Sequence, residues 1–302
     1  MEKPYILHML TTAKNLSPFD VNMALDAGWT SAIPYINVEL SEVQGLVQDA
    51  IFSRSVKNLK RTGIFIGGRD TKEAMDMLKA AQKAMVPPFE VSVFADPSGA
   101  FTTAAGMVAA VERELMTKFN TTLEGKVILA LGGTGPVGQA AAVIAAQAGA
   151  QVRIIGRQLD KAQRVAELCS NEFGGGTIVV TAGADADKAE FIKTADVVFA
   201  TGAAGIGLLS AELIASAPQL KVAADVNAVP PAGIAGVDAF ANGTPIDGSG
   251  SGAVGIGALA IGNVKYQAQN RLLKKMIESE KPVYLHFEHA FAVARDYIKA
   301  TS

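Results

Sequence analysis

The 302-residue sequence has little cysteine, little histidine and no excess of basic residues. Its one cysteine, Cys169, excludes an internal disulfide and any cysteine-based zinc cluster. The three histidines, His8, His286 and His289, lack the spacing typical of metal ligands, so no metal site is predicted. Because 27 Lys+Arg face 29 Asp+Glu, the net charge is −2 and no basic surplus exists to bind a nucleic-acid backbone.

Long uninterrupted apolar runs are also missing. Residues 127–152 and 248–264 carry no charge, but glycines interrupt both stretches, so neither is a continuous membrane-spanning helix. The apolar run near the N-terminus is too short for a signal peptide, and we expect a cytoplasmic protein without a membrane partner. The hydrophobic content of 49% argues against intrinsic disorder.

The length and the order of the predicted elements indicate two α/β domains. In the first 120 residues, apolar segments predict strands at Ile6–Leu10, Ala32–Val38, Thr62–Ile66 and Glu90–Phe94, and helical patterns alternate with them. From Leu123 the pattern restarts, with strands predicted at 126–131, 151–156, 177–180, 196–200 and 221–225. We therefore predict an N-terminal α/β catalytic domain (1–121, with the helices of 266–302 returning to it) and a doubly wound Rossmann domain (122–265).

Glycine is abundant, with 30 residues, and one cluster of it has the spacing of a dinucleotide fingerprint. Gly133-Thr134-Gly135-Pro136-Val137-Gly138 fits G-x-G-x-x-G, directly follows a predicted buried strand and opens a predicted helix. In such a turn the glycines allow the tight bend, the approach of a pyrophosphate and close helix packing. A purely structural turn is the alternative interpretation.

The end of the next predicted strand favours NADP over NAD. It reads Gly156-Arg157-Gln158 without an acidic residue for a ribose 2′-hydroxyl, and Lys161 follows four residues after Arg157. Two cations there suit a 2′-phosphate, although they are also compatible with ordinary solvated side chains.

Two further loops at predicted strand ends are candidates for the same cofactor site. One contains Gly202 and Ala203, and the other contains Asp225 and Asn227. The glycine lets backbone approach a ribose or nicotinamide, whereas Asp225 and Asn227 either contact the cofactor or bond their own backbone as turn residues.

Beyond the fingerprint, ordered motifs extend over nearly the whole chain, at 17–20, 96–106, 132–138, 156–162, 224–234 and 255–265. In these segments the sequence resembles the NAD(P)-dependent methylene-tetrahydromethanopterin dehydrogenases of methylotrophic bacteria. The resemblance implies oxidation of the methylene group bridging N5 and N10 of a reduced pterin to the methenyl cation, with hydride passing to NADP or NAD. It also implies a substrate cleft between the two domains and a homo-oligomer, expected to be a trimer.

The resemblance also assigns residues on the pterin side. Lys265 matches the family's active-site lysine, and Asp20 matches its substrate-contacting aspartate. A carboxylate would compensate the lysine charge beside a developing cation. Phe19, Thr102 and Thr103 are candidate pterin contacts, although the threonines are favoured as helix caps and an aromatic beside a helix start is more often core.

Other functions fit parts of the same pattern. A methylene-tetrahydrofolate dehydrogenase would share the domain order and the cleft lysine. A shikimate-dehydrogenase-like enzyme would share the architecture, but its lysine–aspartate spacing is not found. An NADP-sensing protein without catalysis would keep the glycine fingerprint.

Overall fold

The structure is a computed structural model that describes residues 3–301. Strands and helices alternate along most of the chain. The strands are β1 (Ile6–Leu10), β2 (Ser31–Tyr35), β3 (Thr62–Ile66), β4 (Ser92–Ala95), β5 (Val127–Leu131), β6 (Gln151–Gly156), β7 (Val180–Ala184), β8 (Val197–Ala200), β9 (Val222–Asp225), β10 (Asn242–Pro245), β11 (Val254–Ile256) and β12 (Tyr284–Leu285). The helices are α1 (Pro18–Asp26), α2 (Val43–Phe52), α3 (Thr71–Lys83), α4 (Ala100–Phe119), α5 (Pro136–Gln147), α6 (Leu159–Leu168), α7 (Lys188–Phe191), α8 (Ala211–Ala215), α9 (Ala258–Glu278) and α10 (Phe287–Thr301).

The chain divides into two compact units. The first comprises the described residues up to Thr102 together with Tyr266–Val293, and it contains a parallel sheet of five strands in the order β12-β4-β3-β1-β2. Every residue of β3 is buried, as expected for a central parallel strand covered on both faces.

The second unit comprises Thr103–Lys265 and the described residues from Ala294 onward. Its seven-stranded sheet has the order β10-β11-β9-β8-β5-β6-β7, in which only β10 is antiparallel to its neighbour. Successive strands run outward from β5 through β6 to β7, and the chain then returns to place β8 on the other side of β5. This reversal is the doubly wound arrangement, and it confirms the predicted Rossmann fold.

The unit boundaries differ from the predicted boundary at 121/122. Helix α4 belongs to the second unit from Thr103 onward, and there Arg113 donates to the Asn242 side chain and Lys118 to the carbonyl of Gly243. The end of α10 belongs there as well, because the guanidinium of Arg295 donates two 2.6 Å hydrogen bonds to the carboxylate of Glu112. Sequence patterns mark where a helix ends, whereas these long-range bonds decide which unit it joins.

One predicted strand also shifts. The strand predicted at 177–180 is observed later in the chain, as β7 (Val180–Ala184). Residues 174–176 form a turn, and pairing with β6 begins only at Val180, whose N–H donates to the Ser170 hydroxyl at 2.9 Å. Helix α9 starts at Ala258, directly after strand β11. Between them a side-chain carbon at Gly257 would lie 2.1 Å from the Asp238 carbonyl oxygen, so only glycine allows this close passage. Within residues 3–301, no helix combines the length and the apolarity needed to cross a membrane.

Candidate functional site

The glycine turn follows β5 at the point where the strand order of the second unit reverses. Gly132 has φ +68°, the left-handed conformation that glycine tolerates best. A side-chain carbon there would lie 2.6 Å from Gly202 Cα, and one at Gly138 would lie 2.4 Å from Gly133 Cα. Gly133 of the fingerprint needs glycine too, since a side-chain carbon there would lie 2.6 Å from the Ala130 carbonyl oxygen. Gly132 and Gly133 therefore form the turn together, and Gly138 provides the close packing of α5.

Gly135 differs from these glycines because protein packing would allow a side chain at this position. It is the N-cap of α5 with φ −83°, and the nearest atoms to an added side-chain carbon are 3.8 Å away on Gly132 and 4.0 Å away on Thr201. The missing side chain leaves space over the first turn of α5, where backbone N–H groups have no acceptor within the helix. This is the geometry that accepts a pyrophosphate, so the turn fits a dinucleotide.

A pocket of about 300 Å³ lies at the end of β6, lined by Thr134, Gly156, Arg157, Gln158 and Lys161. Both cations are exposed, and neither has an ion-pair partner within residues 3–301. The structure thus brings the two predicted cations to one pocket beside Thr134 of the glycine turn.

The loop after β8 approaches the turn through backbone. Thr201 is buried, and its hydroxyl donates to the Leu131 carbonyl at 3.1 Å. Gly202 packs against Leu208, whereas Ala203 is exposed.

The side chains of Asp225 and Asn227 organise the loop that follows β9. The Asp225 carboxylate is 2% exposed and accepts from the N–H groups of Asn227 at 2.9 Å and Ile234 at 3.1 Å. Burial raises the pKa of Asp225, and these backbone hydrogen bonds partly oppose the rise. Asn227 accepts from Gly205 N–H and donates to the Pro231 carbonyl. The structure gives both side chains the role of turn residues, and their contact with a cofactor stays a prediction.

The first unit has its own strand reversal, between β1 and β3, and a cavity of about 310 Å³ lies at the carboxyl ends of these strands. Three loops contribute to its lining, with Thr11, Ala13, Asn15, Leu16 and Ser17 after β1, Gly68 and Arg69 after β3, and Ser98 after β4; Pro18 and Asp20 of α1 complete it. Sequence reasoning found Asp20 but missed Arg69 and Thr11, since only the sheet order brings these loops together.

Asp20 lies in the first turn of α1 and is 2% exposed. Its Oδ1 accepts a 2.8 Å hydrogen bond from the amide of Gln269, itself fully buried on α9. A carboxylate near a helix N-terminus is stabilised by the helix dipole. The structure thus places Asp20 in the wall of the cavity with one oxygen held in place.

Thr102 has the capping role. It is fully buried, and its hydroxyl donates to Asp96 at 2.6 Å, while Asp96 also accepts from the N–H groups of Phe101 and Thr102. Asp96 is a missed residue that fixes the start of α4. Thr103 is half-buried and belongs to the second unit. Phe19 is 43% exposed and therefore not a core residue, and it does not line the cavity.

Lys265 is half-buried within α9, two turns after the start of the helix at Ala258. Close packing holds this part of α9, since a side-chain carbon at Gly106 of α4 would lie 3.1 Å from both the Ile261 carbonyl oxygen and the Lys265 nitrogen.

Comparison with known proteins decides the family. The sequence model described as methylene-tetrahydromethanopterin dehydrogenase, N-terminal, matches residues 18–98, which include Asp20 and Arg69. The NAD(P)-dependent methylenetetrahydromethanopterin dehydrogenase of Methylorubrum extorquens is 50% identical over 292 residues, which cover 96% of this chain and 97% of the relative. The chain belongs to the methylene-tetrahydromethanopterin dehydrogenase family. A second relative, the bifunctional protein MdtA of the same organism, is 34% identical over 279 residues. This alignment covers 92% of the present chain and 94% of MdtA.

Among solved structures, shikimate 5-dehydrogenase from Listeria monocytogenes, in complex with shikimate and NAD, resembles this dehydrogenase with a TM-score of 0.56. The alignment covers 99% of this chain and 96% of the other at 14% identity. At that identity the likeness supports the fold alone. Among residues 3–301, no three His, Cys, Asp or Glu side chains are grouped to hold a metal ion.

Proposed function

We propose that this dehydrogenase oxidises methylene-tetrahydromethanopterin to methenyl-tetrahydromethanopterin and uses NADP as the preferred hydride acceptor, with NAD as a second one. The observation that carries the proposal is the 50% identity over nearly the whole length to a relative named for this reaction. The methylene carbon is already activated by two nitrogens, so the protein needs no metal or nucleophile and has to position and stabilise the reacting groups.

The second unit supplies the cofactor groups. When bound, NADP supplies the nicotinamide that accepts the hydride. The backbone of Gly133–Gly138 holds the pyrophosphate at the open N-terminus of α5. Arg157 and Lys161 hold the 2′-phosphate, and their lack of other ion-pair partners within residues 3–301 supports the preference for NADP over NAD. Gly202 and Ala203 allow the ribose or nicotinamide to approach backbone.

On the pterin side we assign Asp20 and Lys265. Loss of hydride leaves a cation on the carrier, and a buried carboxylate such as Asp20 stabilises it more strongly than a solvated one would. Lys265 donates hydrogen bonds to the pterin and orients it.

Initial rates with two carriers and two cofactors test this function. We expect reduced-nicotinamide absorbance at 340 nm to rise fastest with methylene-tetrahydromethanopterin and NADP. A higher kcat/KM with methylene-tetrahydrofolate would assign the protein to the folate carrier. The absence of hydride transfer from either carrier would favour the sensing role instead.

From the family resemblance we also propose a cytoplasmic homo-oligomer, a trimer, serving one-carbon oxidation in methylotrophy. Light scattering coupled to size exclusion measures the subunit number directly, and a monomeric mass would contradict the proposal.

A further inference from the structure

Arg69 is a charged group of the first-unit cavity that the proposed chemistry does not use. Its side chain is exposed, lines the same 310 Å³ cavity as Asp20, and has no hydrogen-bond or ion-pair partner within residues 3–301. The half-buried Arg54 and Arg61 of this unit, by contrast, donate hydrogen bonds to main-chain carbonyls. Arg69 is therefore available to a ligand.

The backbone beneath Arg69 is held firmly. The preceding Gly68 has φ +111°, and its carbonyl accepts a 2.7 Å hydrogen bond from the Ser98 hydroxyl, which comes from the loop after β4. The following Asp70 caps α3 by accepting from the Glu73 N–H at 2.9 Å. Glu73 in turn accepts from the Thr12 hydroxyl at 2.7 Å. Hydrogen bonds among three loops thus fix the backbone position of Arg69. A binding residue needs such a fixed backbone, whereas a solvated side chain does not.

Size and polarity indicate which part of a carrier the cavity takes. About 310 Å³ accommodates a two-ring system and not a complete carrier with its long tail. The lining offers a buried carboxylate, Asp20, and an unpaired guanidinium, Arg69. The pterin ring has donors, its N3–H and 2-amino groups, next to one exocyclic carbonyl oxygen. Both groups line one cavity, and the Arg69 guanidinium, a hydrogen-bond donor, complements that carbonyl oxygen.

We propose that Arg69 donates hydrogen bonds to the carbonyl oxygen of the pterin ring and thereby determines affinity for the carrier. This inference rests on the proposed function, because it takes the reduced pterin as the ligand. It assigns Arg69 to binding and leaves hydride transfer to the residues described above.

The test compares Arg69→Ala and Arg69→Lys with the unmodified protein and with Lys79→Ala. Lys79 is exposed on the same unit but lies outside the cavity, so this control removes an equal charge. Arg69→Ala should raise the KM for the methylene carrier at least about tenfold and change kcat at saturation less than about threefold. The KM of Arg69→Lys should lie between those of the unmodified protein and Arg69→Ala, because lysine keeps the charge but loses the planar donor fork. Melting temperatures should be unchanged.

Calorimetric binding of tetrahydro-6-methylpterin, which has the ring but no tail, supplies a readout that needs no turnover. The proposal expects Arg69→Ala to weaken this binding about as much as it raises the KM of the intact carrier. Weakening confined to the intact carrier would place the guanidinium on the tail, and unchanged binding of both would remove Arg69 from the site; either result overturns the proposal. If the unmodified protein binds the ring but transfers no hydride, the proposed function fails while the Arg69 comparison still stands.

Discussion

Replacing Gly135 by alanine separates a cofactor-binding turn from a merely structural one. The added carbon would meet protein atoms no closer than 3.8 Å, and φ −83° is open to any residue. Alanine is a poorer N-cap than glycine, so the expected loss in free energy of unfolding is below about 1 kcal/mol. The fold should therefore survive the substitution.

The same methyl group should interfere strongly with the dinucleotide. It would occupy the space above the first turn of α5, and the pyrophosphate would lose hydrogen bonds that each contribute about 1.5–3 kcal/mol when one partner is charged. One such bond corresponds to a loss of NADP affinity of roughly 10- to 150-fold. Calorimetric titration with NADP and the KM for NADP both measure this loss.

Two other glycines provide matched controls. Gly138→Ala would place a carbon 2.4 Å from the Gly133 Cα, so we expect it to destabilise the protein by about 1–3 kcal/mol. Gly45→Ala on α2 meets nothing within 4 Å and should stabilise the helix by about 0.5–1 kcal/mol. Urea denaturation measures both. Normal NADP binding by a folded Gly135→Ala protein would refute the assignment of this turn to the cofactor.

Three more variants test the remaining assignments. Arg157→Ala should raise the KM for NADP at least about tenfold and leave that for NAD nearly unchanged, and equal effects would contradict a 2′-phosphate site. Lys265→Ala should lower kcat at least about tenfold without lowering the melting temperature, and a fully active variant would remove Lys265 from catalysis. Burial, with a smaller contribution from His289, lowers the pKa of His286 from 6.5 to about 4. Acidification from pH 6.5 to 4 should therefore lower the free energy of unfolding, because the unfolded chain takes up the proton more readily. In urea denaturation, His286→Phe should reduce this pH dependence, and an unchanged slope would show that other groups cause it.

The sequence alone predicted the elements whose local pattern is strong. The structure confirms the predicted bounds of β1, β3 and β6. These bounds were predictable because each strand is a short, largely apolar run that ends at a glycine or another turn residue. The glycine fingerprint was equally legible, since tight turns and close helix packing require glycine locally. Strands β10, β11 and β12 were missed, because two to four residues that pair only with distant strands leave little periodicity to detect.

The sequence by itself therefore determined the α/β class, the glycine turn of the second unit and the two cations that follow β6. Tertiary structure alone decided which polar residues share a cavity. Asp20 and Arg69 are far apart in the chain, and only the reversal of strand order between β1 and β3 brings their loops to one edge of the sheet. Tertiary structure also decided that the side chains of Asp225 and Asn227 bond the backbone of the loop after β9. The hydrogen bonds of a side chain depend on which backbone lies beside it after folding.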